Sequence, residues 1–393
     1  MCKKLCFKNV VHLCCINKIE MDIRHLIDNS DISRDLKVIA EKVIAGERLN
    51  FDEGVALYNC NNLSYIGMLA NYCKQRVSGN KVFFNRNFHI EPTNICLYNC
   101  KFCSYRRDAG EEGVWDYSID EMLAIAHKYA DKKITEVHIV GGVHPYHDLH
   151  FFGELICEVK KILPQAHIKG FTAVELDYMI RKSGYTLDEG LLKLKEYGLN
   201  SIPGGGAEIF DEKIREHICG QKSSSQLWLE VHEAAHRLGI PSNATILYGH
   251  IETYEHRIEH LVRLRNLQDR TNGFNAFIPL KYKNANNSMH KIGEISELEV
   301  LKNFAVTRIF LDNVPHLKSY WPMLGKQIAQ IALAFGADDL DGTIDDTTKI
   351  YSMAGSEETS PHMTTDSMVE LIRSAGFTPV ERDSVYNEIK IFD

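Results

Sequence analysis

Three cysteines within eight residues, Cys96-Leu-Tyr-Asn-Cys100-Lys-Phe-Cys103, carry the strongest chemical signal in the chain. Thiolates spaced C-x3-C-x2-C suit three irons of a 4Fe–4S cube, whose irons take cysteine sulfur as ligand. The fourth iron then lacks a protein ligand, and an open position on a metal is where a substrate binds. Structural zinc needs four ligands in paired short spacings, and no second C-x2-C or H-x3-H follows. A thioredoxin-like pair opens a helix, whereas Cys103 runs into Ser104-Tyr-Arg-Arg-Asp-Ala-Gly110, which reads as loop. An electron carrier would need four cysteine ligands, and no fourth thiol lies close in sequence. Three buried structural thiols are the plain alternative.

A loop of this kind has to be held by a rigid scaffold. The chain has 393 residues, 44% hydrophobic and 25% charged, enough for a large core and within the range of one α/β barrel. A net charge of −8 without a basic run argues against nucleic acid as a partner. No stretch approaches 18 uninterrupted apolar residues, so no membrane span is expected. Eleven cysteines without a framework spacing point to a reducing, cytoplasmic compartment. Residues 1–20 hold four of them and read as a disordered leader or a start placed too far upstream.

Residues 21–85 read as a helical preface. Helices are expected from Ser33 through Ala45, from Asn50 as an N-cap, and from Leu63 to Val77. Residues 86–345 then alternate short β-rich runs with amphipathic helices, the pattern of a parallel sheet. Strands are expected at Asn87–Glu91, Glu136–Val140, His167–Phe171, Asn200–Ile202, Ser242–Leu247, Asn275–Leu280, His316–Trp321 and Asp339–Gly342. The helices between them run over Ile119–Ala130, Phe151–Leu163, Leu187–Tyr197, Leu227–Leu238, Tyr254–Gln268 and Gly325–Phe335. Eight such repeats suggest a closed (β/α)8 barrel of the TIM type, with a six-stranded open barrel as the alternative. Residues 346–393 form a small C-terminal α/β extension.

In such barrels the chemistry sits on the loops after the strands. After the second strand comes Gly141-Gly-Val-His-Pro145, where Gly141 and Gly142 admit close backbone approach and His144 is left to face a cavity. After the third comes Phe171-Thr172-Ala-Val-Glu175. Glu175 is either a ligand for ribose or amino groups or a helix N-terminal charge. After the fourth, Pro203-Gly-Gly-Gly-Ala-Glu208-Ile places Gly205 and Glu208 where close ligand approach explains the glycines. It is not G-x-G-x-x-G, which excludes a dinucleotide fingerprint. After the fifth, His250 and Glu252 form a candidate acid–base pair. Glu255-His-Arg-Ile-Glu-His260 reads as a solvated helix face.

The cysteine motif, with Phe102 just before its third thiol, resembles that of the radical S-adenosylmethionine (SAM) superfamily. Longer phrases sharpen the likeness: His89-Ile-Glu-Pro-Thr-Asn-Ile-Cys96, Gly141-Gly-Val-His-Pro145, Phe171-Thr-Ala-Val-Glu175, Pro203-Gly-Gly-Gly-Ala-Glu-Ile209, Ser242 to Glu252, Leu311-Asp-Asn313 and Asp338-Asp-Leu-Asp-Gly-Thr343. Over about residues 25–390 they are similar to the aminofutalosine synthase family of the futalosine route to menaquinone. Dehypoxanthine futalosine cyclases and deazaflavin-precursor synthases share that scaffold and are the alternatives.

The resemblance implies a radical SAM barrel in which Cys96, Cys100 and Cys103 hold a 4Fe–4S cluster and the open iron is chelated by SAM. It places SAM against Phe102, Gly141, Gly142, Thr172, Glu175, Gly205 and Glu208. Val143 stands where the family usually carries an acid. The implied reaction adds the 5′-deoxyadenosyl radical to 3-[(1-carboxyvinyl)oxy]benzoate, giving 6-amino-6-deoxyfutalosine, methionine and bicarbonate or carbon dioxide. An electron donor such as flavodoxin or ferredoxin is the implied partner. Two substrate carboxylates need cationic donors, for which His144, His250 and Lys281 are the expected residues, and His144, His250 and Glu252 are expected at the reacting centre.

Overall fold

The computed structural model describes residues 23–342, 348–356 and 361–392, so the leader expected at 1–20 lies outside the described residues. The N-terminal helices begin where side-chain caps occur. Ser33 accepts from the Leu36 amide to open Arg34–Ala45. Asn50 and Glu53 close a capping box on Phe51–Asn59, and Asn62 caps Leu63–Ser78.

Among the described residues ten strands follow: β1 (Lys81–Asn85), β2 (Asn87–Ile90), β3 (Glu136–Ile139), β4 (His167–Gly170), β5 (Ser242–Tyr248), β6 (Phe274–Lys281), β7 (His316–Leu317), β8 (Asp339–Gly342), β9 (Thr378–Arg382) and β10 (Glu388–Ile391). They form three sheets, ordered β10-β9-β1-β8, β2-β3-β4 and β5-β6-β7. Single parallel bridges join them. Lys169 meets Ser201 and Ile202 meets Ser242, linking β4 to β5 through residues 201–202. Lys318 meets Asp339, linking β7 to β8, and β8 pairs in parallel with β1, which runs through Arg86 into β2. Strands covered on both faces are buried along their length, as in β5, where all seven residues are buried.

Two sequence expectations need correction here. The run predicted as a strand over His316–Trp321 pairs only at His316–Leu317 and the Lys318 bridge, because Pro322 suits the first turn of a helix and opens Trp321–Leu324. Lys81–Asn85, assigned to the helical preface, is a strand flanked by β8 and β9. The C-terminal segment therefore extends the sheet that contains β1, with β9 parallel to β1 and β10 antiparallel to β9. Among the described residues no helix is long and apolar enough to cross a membrane.

Candidate active site

The C-terminal ends of β2, β3 and β4 and residues 203–208 converge on a cavity of about 310 Å³. Phe102 and Cys103 line it on one side, and Gly141, Thr172, Gly205, Gly206 and Glu208 line it from the loops after the next three strands. The cysteine loop is clasped from three directions. Leu97 donates its amide to the Val143 carbonyl at 3.0 Å, Lys101 to Ile218 at 2.8 Å, and Ser288 to the Lys101 carbonyl at 2.8 Å. Asn99 adds a backbone bond to the Gln221 side chain at 3.1 Å.

The glycines expected to admit a ligand are first required by the chain itself. A Cβ on Gly142 would stand 2.2 Å from the Ile95 carbonyl oxygen, and one on Gly141 would stand 2.8 Å from that of Thr93. Gly204, at φ +89°, packs as tightly on the Asn243 carbonyl. Close ligand approach was expected to explain this triplet. Contact between protein segments explains Gly204, while Gly205 and Gly206 also face the cavity. The Gly142 amide donates to Thr93 and the Gly141 amide to Glu175, so both amides are already taken within the protein, and of the two residues Gly141 reaches the cavity wall.

Glu175 resolves into the second of its two expected roles and adds a third. It closes a capping box with Thr172 at the start of the helix Ala173–Lys182 and bonds the Gly141 amide at 3.1 Å. Burial raises its pKa to about 7 against the pull of those amides. The sequence reading raises that helix only through the Glu175 alternative and gives it no range, although Thr172-x-x-Glu175 is the signature of its N-terminus.

Cys96, Cys100 and Cys103 are free thiols. Among the described residues, the one set of metal-ligand atoms all within 4.8 Å of one another is Asp116, His144 and His147, so the three sulfurs are not drawn that close. A single tetrahedral zinc with Zn–S near 2.3 Å would bring its thiolates to about 3.8 Å apart. The wider spread fits ligands on separate irons of a cube. Burial raises the Cys96 and Cys100 pKa, which disfavours thiolates until a cationic cluster takes them up. The Val143 amide reaches Cys96 Sγ at 3.4 Å, the kind of N–H to sulfur bond that tunes a cluster. These residues fit the group.

Sequence reading missed Lys222. Its half-buried side chain pairs with Glu208 at 2.6 Å, stands 5.4 Å from the Phe102 ring centroid, and acts electrostatically on Cys96 and Cys100. The thiol of Cys219, distant in sequence, also acts on Cys100. Also missed was the polar floor of the cavity, where Lys169 pairs with Glu136 at 2.6 Å, Lys318 pairs with Asp341, and His89 and His138 face each other at 4.8 Å between ring centroids. Glu136, His138, Lys169 and Lys318 belong to no motif, and His89 and Asp341 stand in the quoted phrases without a role there, because which strand residues face the cavity is set by strand pairing and not by local spacing.

Three expected reacting residues lie elsewhere. His250 and Glu252 are not on the cavity wall, and their side chains have no solvent exposure. His250 Nε2 donates to the Leu247 carbonyl at 3.1 Å, while Glu252 accepts the His250 amide and Arg257 Nε, both at 2.9 Å. The expected acid–base pair is thus a knot closing the end of β5. Arg257 and His260, expected on a solvated face, are buried, Arg257 by this knot and His260 by stacking on Phe210. His144 also misses the cavity wall and sits 3.3 Å from Asp116, stacked on His147 at 3.9 Å. Its Nδ1 accepts the Tyr146 amide, which leaves the ring proton on Nε2 facing Asp116. A metal-bound histidine carries the opposite tautomer, donating from its free nitrogen. The trio is therefore a brace of charge contact and ring stacking between the loop after the cysteines and the loop after β3. Lys281, by contrast, does line the cavity.

Comparison with known proteins gives the family. The profile of the Radical SAM superfamily matches residues 90–264, and that of the CofH/MqnC C-terminal region matches residues 271–392. The chain is 42% identical over 359 residues to aminodeoxyfutalosine synthase of Thermus thermophilus, spanning 90% of this chain and 96% of that protein. It is 34% identical over 365 residues to cyclic dehypoxanthine futalosine synthase of Streptomyces coelicolor, spanning 91% and 90%. The crystal structure of methylornithine synthase superposes with a TM-score of 0.70 at 19% identity, covering 87% of this chain and 97% of that one, a likeness of fold alone.

Proposed function

The chain belongs to the radical SAM superfamily, and from that premise we propose that it acts as an aminodeoxyfutalosine synthase. It joins the 5′-deoxyadenosyl group of SAM to 3-[(1-carboxyvinyl)oxy]benzoate, giving 6-amino-6-deoxyfutalosine, methionine and bicarbonate or carbon dioxide. The observation that carries the assignment is identity along nearly the whole chain, 42% to a synthase against 34% to the cyclase. The strand pairings support a (β/α)8 barrel, since the bridges at 201–202 and 318 connect β2 through β8 and back to β1. A cytoplasmic setting with flavodoxin or ferredoxin as electron donor suits the chemistry.

Cys96, Cys100 and Cys103 would hold the cluster, which when bound supplies the electron that cleaves SAM. The protein's own residues supply the rest. Phe102 and Gly141 present ring and carbonyl to the cofactor side of the cavity, and Glu208 and Lys222 offer a carboxylate and an ammonium for the amino-acid end of SAM. Thr172 and Glu175 fix the Gly141 segment by tying its amide to a helix start. Leu247, Ile278 and Leu280 line the cavity and exclude water from it, as a reactive carbon centre demands. Anaerobic incubation of the reconstituted protein with SAM, dithionite and the enolpyruvyl-benzoate, followed by mass analysis, should give the adenine-bearing adduct. SAM cleavage to 5′-deoxyadenosine with no adduct would refute the assignment.

A further inference from the structure

The cavity wall carries more cationic than anionic groups, and the excess is local. Lys169, Lys222, Lys281, Lys283 and Lys318 line it, against Glu136, Glu208 and Asp341. Three of these lysines are matched one to one by those three carboxylates. Among the described residues Lys281 and Lys283 share one close partner, with both ammonium groups on the same oxygen of Glu294 at 3.1 and 3.3 Å. The next carboxylate, Glu297, is 3.9 Å from Lys281 and 61% exposed, where water screens it. The two lysine side chains are only 8% and 15% exposed. Keeping an unmatched cation away from water is costly, and an anion arriving from the cavity removes that cost. Leu247 and Leu280, register partners across β5 and β6, line the same cavity together with Ile278.

We propose that Lys281 and Lys283 anchor a carboxylate of the substrate, and that Leu247, Ile278 and Leu280 receive the ring that bears it. The site thereby selects an aryl carboxylate. The inference rests on the synthase activity proposed above and adds to it the residues that choose the substrate. Glu294 holds the two ammonium groups together at about half their combined charge, so its neutralisation should strengthen the site. That sign separates a binding role from a purely structural one.

The test measures dissociation constants on the anaerobic, cluster-loaded enzyme by equilibrium dialysis. The probes are the enolpyruvyl-benzoate, its ring carboxamide analogue and 3-hydroxybenzoate. Lys281→Met and Lys283→Met should each weaken the dicarboxylate about tenfold or more, and Glu294→Gln should tighten it several-fold. SAM affinity should stay unchanged, and Lys281→Arg should restore binding to within a few-fold. The carboxamide should bind the wild type weakly and equally in all variants. Unchanged affinity in the Lys281→Met/Lys283→Met double variant, or carboxamide binding that falls in step, overturns the proposal. Should a methionine variant fail to fold, Glu294→Gln alone decides, and unchanged or weaker binding there overturns it. If the wild type ignores the dicarboxylate but binds 3-hydroxybenzoate in a lysine-dependent way, the subsite stands and the synthase assignment falls.

Discussion

Glu208 and Lys222 face each other at 2.6 Å on the cavity wall, with the ammonium 5.4 Å from the ring of Phe102, the residue between two of the motif cysteines. A cluster held by those cysteines gains one negative charge on reduction, and a buried cation favours that state. Lys222→Met should lower the midpoint potential, and Glu208→Gln, which leaves the cation unopposed, should raise it. A tenfold change in the reduced-to-oxidised ratio corresponds to about 59 mV for one electron, a shift within reach of redox titration followed by electron paramagnetic resonance. The titration is run without SAM. Shifts of the same sign in both variants would sink the argument.

The cluster loop depends on a contact made by Gly142. Its amide bonds the Thr93 carbonyl at 2.7 Å, and any Cβ would meet the Ile95 carbonyl at 2.2 Å. Gly142→Ala should push the loop after β3 off the cysteine loop, at a cost of about 1–3 kcal/mol, and lower iron and sulfide content per chain. Gly293→Ala, where a Cβ meets nothing within 4 Å, is the control. Equal iron content in the two variants would contradict the packing argument.

Stability should fall on mild acidification. Burial depresses the pKa of His89 and His236 to about 4 and of His138 and His260 to about 3, from 6.5. Between pH 6.5 and about 4 the unfolded chain therefore binds protons that the fold refuses, and stability drops as pH falls through that window. Glu175 has the opposite sign. Its folded pKa of about 7 exceeds its ordinary 4.5, so its contribution is present at low pH and lost as pH rises through that interval. Four depressed histidines outweigh one raised carboxyl, and melting temperatures should decline from pH 7 to pH 5. His260→Gln, which can still donate to the Thr245 carbonyl, should make the decline shallower.

Much of the scaffold could be read from local rules. The helix starts at Ser33, Asn50 and Leu187 follow from cap residues and apolar spacing, and all eight predicted strand positions carry pairing or bridges, although the seventh is shorter than expected. The cysteine loop could be read because its spacing is chemical. Lys222, Lys283 and His138 could not, because each reaches the cavity through strand order and loop closure, which join segments far apart in sequence. His144, His250 and Glu252 misled for the complementary reason. Their place at strand ends was correctly read, but Asp116 in one case and Arg257 in the other turn those side chains into braces.

His138 supplies the last prediction. Its Nε2 is buried with no hydrogen-bond partner among the described residues, yet the residue lines the cavity. An orphaned polar atom costs about 1–3 kcal/mol, so replacing it with an apolar group should stabilise the fold. If the atom is reserved for a polar group of the substrate, the same replacement should weaken substrate binding by a similar free energy, roughly 5- to 150-fold. His138→Leu should therefore raise the melting temperature of the substrate-free enzyme while raising the substrate dissociation constant. SAM affinity and iron content should stay as in the wild type. Ligand sites commonly trade stability for function in this way, and the two readouts must move in opposite directions for the reading to hold. A rise in melting temperature with unchanged substrate affinity would reduce His138 to an internal packing defect, and a fall in both would make it part of the polar floor with Glu136 and Lys169.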